Sequence, residues 1–249
     1  MSIIALYHVK GGVGKTAAAV NLAYLAAQEG SPTLLCDMDP QGSASFYFRI
    51  RPSKKHRAGK MLQGGRKITA SLKGTDYDNL DVLPSHISYR NLDITLDGMK
   101  RSKQRLKELL APFEQHYRTI FLDAPPNITL VSENIFNAAD LILVPVIPTT
   151  LSVLALEKLL AFFKTKNFDR NKIRAFLSMV EKRKKMHQEI LEEKLGDKRF
   201  LKTTIPYSAV VEKMGIFREP VACFSGNSTA AQAYAELWRE IRSLEPKEK

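Results

Sequence analysis

The stretch Lys10-Gly11-Gly12-Val13-Gly14-Lys15-Thr16 restricts this chain more than any other part of it. An apolar run, Ile3 to Tyr7, comes before it. An alanine-rich segment without glycine or proline, Ala17 to Ala27, comes after it. That order predicts strand, glycine loop, helix. Glycines at Gly11, Gly12 and Gly14 let backbone N–H groups, including those of Val13 and Ala17, turn inward on an anion, and the positive end of the following helix points the same way. Lys15 then reaches the outer phosphates of a nucleotide, and Thr16 offers its hydroxyl to a magnesium ion. The first reading is an ATP or GTP site.

A chain of 249 residues, 44% of them hydrophobic, is long enough to bury a large core, and a single α/β domain over residues 1–249 is expected. No apolar run approaches the roughly 20 residues that span a bilayer, and Met1-Ser2 leads straight into the first strand, so a cytoplasmic protein is expected. Cys36 and Cys223 stand far apart and read as reduced, partly buried thiols. The net charge of +12 is unevenly spread. Between Asp39 and Asp76 there is no acid, yet Arg49, Arg51, Lys54, Lys55, Arg57, Lys60, Arg66, Lys67 and Lys73 lie there. The rest of the chain is nearly neutral. A concentrated basic surface points to a polyanionic partner; the competing reading is a solvated loop.

Further along, strand and helix alternate. The first helix runs from Lys15 to about Glu29 and ends at Gly30. Pro32 to Asp37 reads as a buried strand, and Asp37-Met38-Asp39-Pro40-Gln41-Gly42 places two acids at its carboxyl end, where open parallel sheets bind ligands. Ser43 to Asp81 reads as loops with one or two short helices, Leu80 to Pro84 as a strand, and Lys100 to His116 as a helix that Pro112 bends or ends. Arg118 to Asp123 is again strand and acid, a second carboxylate for a magnesium shell. Ala124-Pro125-Pro126 makes a stiff turn beside it. Leu141 to Ile147 and Ile173 to Val180 are strand candidates, and Leu201 to Ile205 is short and β-like. Helices are expected over Leu151 to Lys166, through about Leu195, and from Ser228 to Ser243. The predicted fold is one doubly wound, mostly parallel sheet flanked by helices.

The second lysine, Lys10, immediately ahead of the glycines makes the loop a deviant Walker A form. It resembles the ParA/MinD family of partitioning and positioning ATPases, which are P-loop NTPases. Asp-Met-Asp-Pro-Gln-Gly at 37 to 42 resembles the next motif of the ParA branch, and Phe-Leu-Asp-Ala-Pro-Pro at 121 to 126 its third. Ser-Met-Val-Glu-Lys-Arg at 178 to 183, the helix starting at 188 and the alanine-rich start of the last helix are also similar. The resemblance covers almost the whole chain. It implies that Lys10 crosses an ATP-sandwiched homodimer to the other subunit's phosphates, where two facing tetraanions need screening. It also implies that Lys15 binds the β and γ phosphates, that Thr16, Asp37 and Asp123 serve the magnesium, and that Asp39 positions the attacking water. Adenine is expected near Pro206 and Tyr207. The ParA branch commonly has an arginine where Tyr207 stands, and Pro206 to Pro220 matches it loosely.

The function implied is a slow ATPase that dimerises on ATP, binds DNA without sequence preference, associates with the nucleoid and positions a cargo. Release would follow when a ParB-like or other adaptor protein stimulates hydrolysis. Candidate DNA contacts are Lys182, Arg183, Lys184, Lys185, Arg218, Lys54, Lys55 and Arg57. The alternative is a MinD-like membrane-cycling ATPase, which ends in an amphipathic helix; Leu244-Glu245-Pro246-Lys247-Glu248-Lys249 argues against one. An iron–sulfur reductase of related type would need a paired-cysteine site that Cys36 and Cys223 do not form. A small-molecule phosphoryl or ligase enzyme on this fold has no substrate pocket marked in the sequence.

Overall fold

The computed structural model describes residues 2–51 and 57–244. Seven strands form a single sheet in the order β3-β4-β2-β5-β1-β6-β7. They are β1 (Ser2–Leu6), β2 (Thr33–Asp37), β3 (Lys73–Gly74), β4 (Leu80–Leu83), β5 (Thr119–Asp123), β6 (Leu141–Val146) and β7 (Ile173–Leu177). All pairings are parallel except β3 with β4. The doubly wound, mostly parallel sheet expected from the sequence is the one observed.

The strands are apolar on both faces because helices cover both. Along β1, Ile3, Ala5 and Tyr7 pack into one core while Ile4 and Leu6 pack into the other, the two-residue alternation of a pleated strand. The first core is closed by the Leu130–Ala138 and Thr150–Thr165 helices through residues such as Ile135, Leu159 and Phe163. The second is closed by the Lys15–Gln28 and Thr229–Ser243 helices. Ala19 and Ala23 let the first of these lie close to the sheet, while Leu237 and Trp238 fill the space beneath the other.

Several segments differ from the sequence expectation. Between Ser43 and Asp81 the described residues form three short helices, Ser43–Tyr47, Ala58–Met61 and Arg66–Thr69, and the two-residue β3. The helix expected over Lys100 to His116 shortens to Arg105–Leu110 and tightens into a 3-10 turn over Ala111–Gln115, because Pro112 brings no N–H to the α ladder. Leu201 to Ile205 is not a strand. Its flanks make single bridges, Phe200 to Ala175 of β7 and Pro206 to Val180 just past β7, while the Lys202 and Thr203 N–H groups donate to the Glu240 carboxylate instead of to a ladder. The Leu130–Ala138 helix was not expected. It opens on a capping box in which the Thr129 side chain and Ser132 serve each other's N–H groups. Among the described residues, no helix is long and apolar enough to cross a membrane.

Candidate functional site

The carboxyl ends of β1, β5 and β2 lie side by side, and the loops leaving these three strands meet there. Gly12 and Gly14 adopt left-handed φ of 72° and 94°, which only glycine holds without strain. A Cβ on Gly14 would stand 3.0 Å from Ser178 Oγ, just past β7, so the loop is also held too close for a side chain. Nothing lies within 4 Å of where Cβ atoms on Gly11 or Gly12 would be, leaving that side of the loop open. Val13 turns its side chain into the core and is 2% exposed, so only its backbone is available to a ligand. Thr16 and Ala17, half-buried, begin the helix whose N-terminus faces the same edge. The helix is capped by Gly14 rather than by a hydroxyl, which leaves its first N–H groups for an anion.

The two lysines have separate surroundings. Lys15 is buried, and its Nζ donates to the Lys10 carbonyl oxygen at 3.0 Å across the mouth of the loop. Burial lowers its pKa, and the charges of Asp123 and Asp39 pull it back up. Lys10 is half-buried, and its N–H donates to His8 Nδ1 at 3.0 Å. His8 is buried beneath the loop and accepts that bond in the neutral form. Burial, then the charge of Lys15, holds its pKa down to about 4.

Asp37 and Asp123 are register partners on β2 and β5, and both are fully buried. Asp37 Oδ2 accepts two hydrogen bonds from Ser45, but Asp37 Oδ1 and both carboxylate oxygens of Asp123 have no hydrogen-bond partner among the described residues. Burial pushes Asp37 up to about 6, with the Ser45 donors acting against the shift. Burial, and after it the neighbouring Asp37, holds Asp123 well above the usual carboxylate range; the nearby Thr16 hydroxyl and the Lys15 charge offset part of this without giving it a formed hydrogen bond. Two adjacent buried acids with three unsatisfied oxygens are costly unless a cation joins them. Together with the Thr16 hydroxyl they fit a hydrated magnesium ion. Asp39, half-buried, accepts the Gln41 N–H at 2.9 Å in the following turn. Beside it lies a cavity of about 330 Å³ lined by Tyr89, Arg90, Asp93, Pro125 and Pro126.

Pro206 and Tyr207 lie beside Val180, just past the carboxyl end of β7, where the Tyr207 N–H donates to the Val180 carbonyl at 3.0 Å. The Tyr207 ring is half exposed and its hydroxyl donates to Glu212 at 2.8 Å. Lys182, Arg183, Lys184 and Lys185 are exposed in the turn that enters the Lys185–Leu195 helix. Lys184 pairs with Glu181 at 2.5 Å and Lys185 with Glu189 at 3.8 Å. Arg218 is half-buried; its guanidinium lies 4.5 Å over the Phe46 ring and donates to the Phe46 carbonyl at 3.1 Å. Arg57 is exposed, while Lys54 and Lys55 lie outside the described residues. Cys36 is buried and Cys223 exposed, both free.

The comparisons agree with this geometry. A family model described as an AAA domain matches residues 1–195. The sporulation initiation inhibitor protein Soj of Bacillus subtilis is 30% identical over 246 residues, covering 96% of this chain and 97% of the relative. The chain belongs to the ParA/MinD family. Another relative of this ParA-like chain, the chromosome partitioning protein ParA of Caulobacter vibrioides, is 28% identical over 258 residues, covering 98% of this chain and 95% of the relative. In fold, the ParA-like chain matches a putative plasmid partition protein of Borrelia burgdorferi, solved with bound AMPPNP, at a TM-score of 0.85 and 23% identity over 97% and 98% of the two chains.

His8, Ser45, Ser85 and Ser178 also belong to the site, and sequence reasoning does not assign them to it. Ser178 stands in a segment already matched to the family, His8 takes the N–H of Lys10 two residues on, and Ser45 and Ser85 meet through the fold.

Proposed function

We propose that this ParA-like chain is an ATPase which dimerises on ATP, binds DNA without sequence preference and positions or segregates a cargo. Release follows hydrolysis stimulated by a ParB-like or other adaptor. The observation that carries this reading is the pairing of Asp37 with Asp123, unsatisfied and buried, beside a glycine loop that already holds one lysine inward. The names of the relatives support the partitioning role.

In this reading Lys15, Gly11 to Gly14, Thr16 and Ala17 hold the phosphates. Thr16, Asp37 and Asp123 would hold magnesium, which would supply charge neutralisation for the phosphates. Asp39 orients the attacking water, and its half-buried place next to an open cavity gives that water room. Lys10 serves the second subunit. Its carbonyl is occupied by Lys15, so within its own site it acts as a backbone prop, while its ammonium is spent on the facing nucleotide. Adenine lies by Pro206 and Tyr207. DNA binding falls to the exposed cations along the carboxyl edge, and the protein works in the cytoplasm on the nucleoid. The residues 1–249 act as one ATPase unit.

Three measurements test this on the full chain: phosphate release from ATP, mass in solution with ATP against ADP, and binding to random duplex DNA as salt is raised. Expected are slow turnover, doubling of mass with ATP, and ATP-dependent DNA binding that weakens steeply with salt. Asp39→Ala should lose turnover by roughly a hundredfold or more and leave an ATP dimer that persists on DNA. DNA binding indifferent to both ATP and salt overturns the reading, as does wild-type turnover in Asp39→Ala.

A further inference from the structure

Two buried serines link the acids of the site. Ser45 donates to Asp37 Oδ2 twice, from its amide at 2.8 Å and its hydroxyl at 2.6 Å, which leaves Oδ1 as the unsatisfied oxygen. A hydroxyl has one proton to give. With that proton spent, Ser45 Oγ accepts the Ser85 N–H at 3.2 Å, and Ser85 in turn donates its own hydroxyl to the Asp39 carbonyl. That carbonyl also takes the Gly42 N–H at 2.9 Å, so Ser85 braces the Asp39 turn from outside. Ser45 and Ser85 are each 2% exposed, so water does not compete for these bonds. The serines come from different places: Ser45 lies in the Ser43–Tyr47 helix after β2, and Ser85 just past the end of β4.

We propose that Ser45 and Ser85 are positioning residues, a hydroxyl relay that fixes Asp37 and Asp39 relative to one another. Ser45 sets which oxygen of Asp37 remains available, and Ser85 anchors the peptide that carries Asp39. The catalytic geometry is thereby set partly from the end of β4, outside all three sequence motifs. A displacement of about 1 Å in a reacting group costs on the order of a hundredfold in rate, so a brace on the Asp39 turn matters even without touching substrate.

The kinetic part rests on the ATPase reading; the hydrogen-bond part does not. Ser85→Ala should lower kcat on the order of tenfold with KM for ATP unchanged, and Ser85→Thr, which keeps the hydroxyl, should recover most of it. Amide hydrogen exchange on the nucleotide-free chain reads the relay itself. In Ser45→Ala the amide of residue 85 loses its acceptor and exchanges faster, whereas in Ser85→Ala that amide keeps Ser45 Oγ and stays protected. Unchanged kcat in Ser85→Ala from a wild type that turns over, or no recovery in Ser85→Thr, overturns the proposal. So does unchanged exchange at residue 85 in Ser45→Ala. A wild type with no ATP turnover overturns the proposed function, and the exchange measurement then decides the relay alone.

Discussion

Burial lowers the Lys15 pKa, the charges of Asp123 and Asp39 act against that, and its Nζ rests on the Lys10 carbonyl. Phosphate oxygens are better partners, so Lys15→Ala should weaken ATP binding by roughly a hundredfold, ~3 kcal/mol, measured by titration of a fluorescent nucleotide. His8 gives a second residue-scale test. Its folded value of about 4 lies below the ordinary 6.5, so the unfolded chain takes up the proton first as pH falls. Its contribution is complete above pH 6.5 and is lost on the way down to pH 4, about 3 kcal/mol in all. Asp37, raised to about 6, works in the opposite sense and favours the folded chain as pH falls through that value. Urea unfolding of the nucleotide-free chain across this range should therefore lose less stability in His8→Asn than in wild type; identical curves would remove His8 from the account. The glycine loop and the acids at 37, 39 and 123 were readable because each stands in its own short motif at the end of an apolar run. Ser45 and Ser85 were not, because forty residues separate two atoms that the fold brings into contact.

At the scale of elements, the Thr229–Ser243 helix is tied to the Lys15–Gln28 helix both by packing and by charge. Leu237 is fully buried, and Trp238 Nε1 and Arg242 both donate to Glu29 at the end of the first helix, at 3.0 and 2.6 Å. Leu237→Ala should cost ~2–5 kcal/mol, read from urea unfolding by the fluorescence of Trp238, the chain's one tryptophan. A smaller loss would mean the helix is held mainly by the Glu29 contacts. Strong periodicity made this helix and the long helix after β6 legible from sequence. The short helices before β4 carry too few turns for a period to emerge, and in the β-like Leu201 to Ile205 segment the end residues donate to β7 carbonyls while the fold sends the Lys202 and Thr203 N–H groups to Glu240.

Across the whole molecule, the proposed DNA contacts divide. Lys182 to Lys185 follow β7, whereas Arg57 precedes a helix whose Ala58 N–H donates to Ser88 Oγ, beyond the end of β4 at the other side of the sheet. Five strand intervals separate β4 from β7, about 24 Å at the usual spacing. Replacing Lys182, Arg183 and Lys185 by alanine should reduce the salt dependence of DNA binding by about one unit of log–log slope for each phosphate no longer neutralised, and replacing Lys54, Lys55 and Arg57 is the parallel test of the basic window. The set that leaves the slope unchanged is solvated surface. The sheet's outermost strands carry a last consequence. β3 has only two residues, Lys73 and Gly74, both exposed, and β7 is met on its free side by a bridge from Phe200 and by the Leu201 and Ile205 N–H groups. A short lysine-bearing strand at one margin and a partly covered strand at the other offer poor templates for a foreign strand. Runaway cross-β aggregation is therefore disfavoured in this chain even when it is crowded, leaving self-association to surfaces other than the sheet's margins.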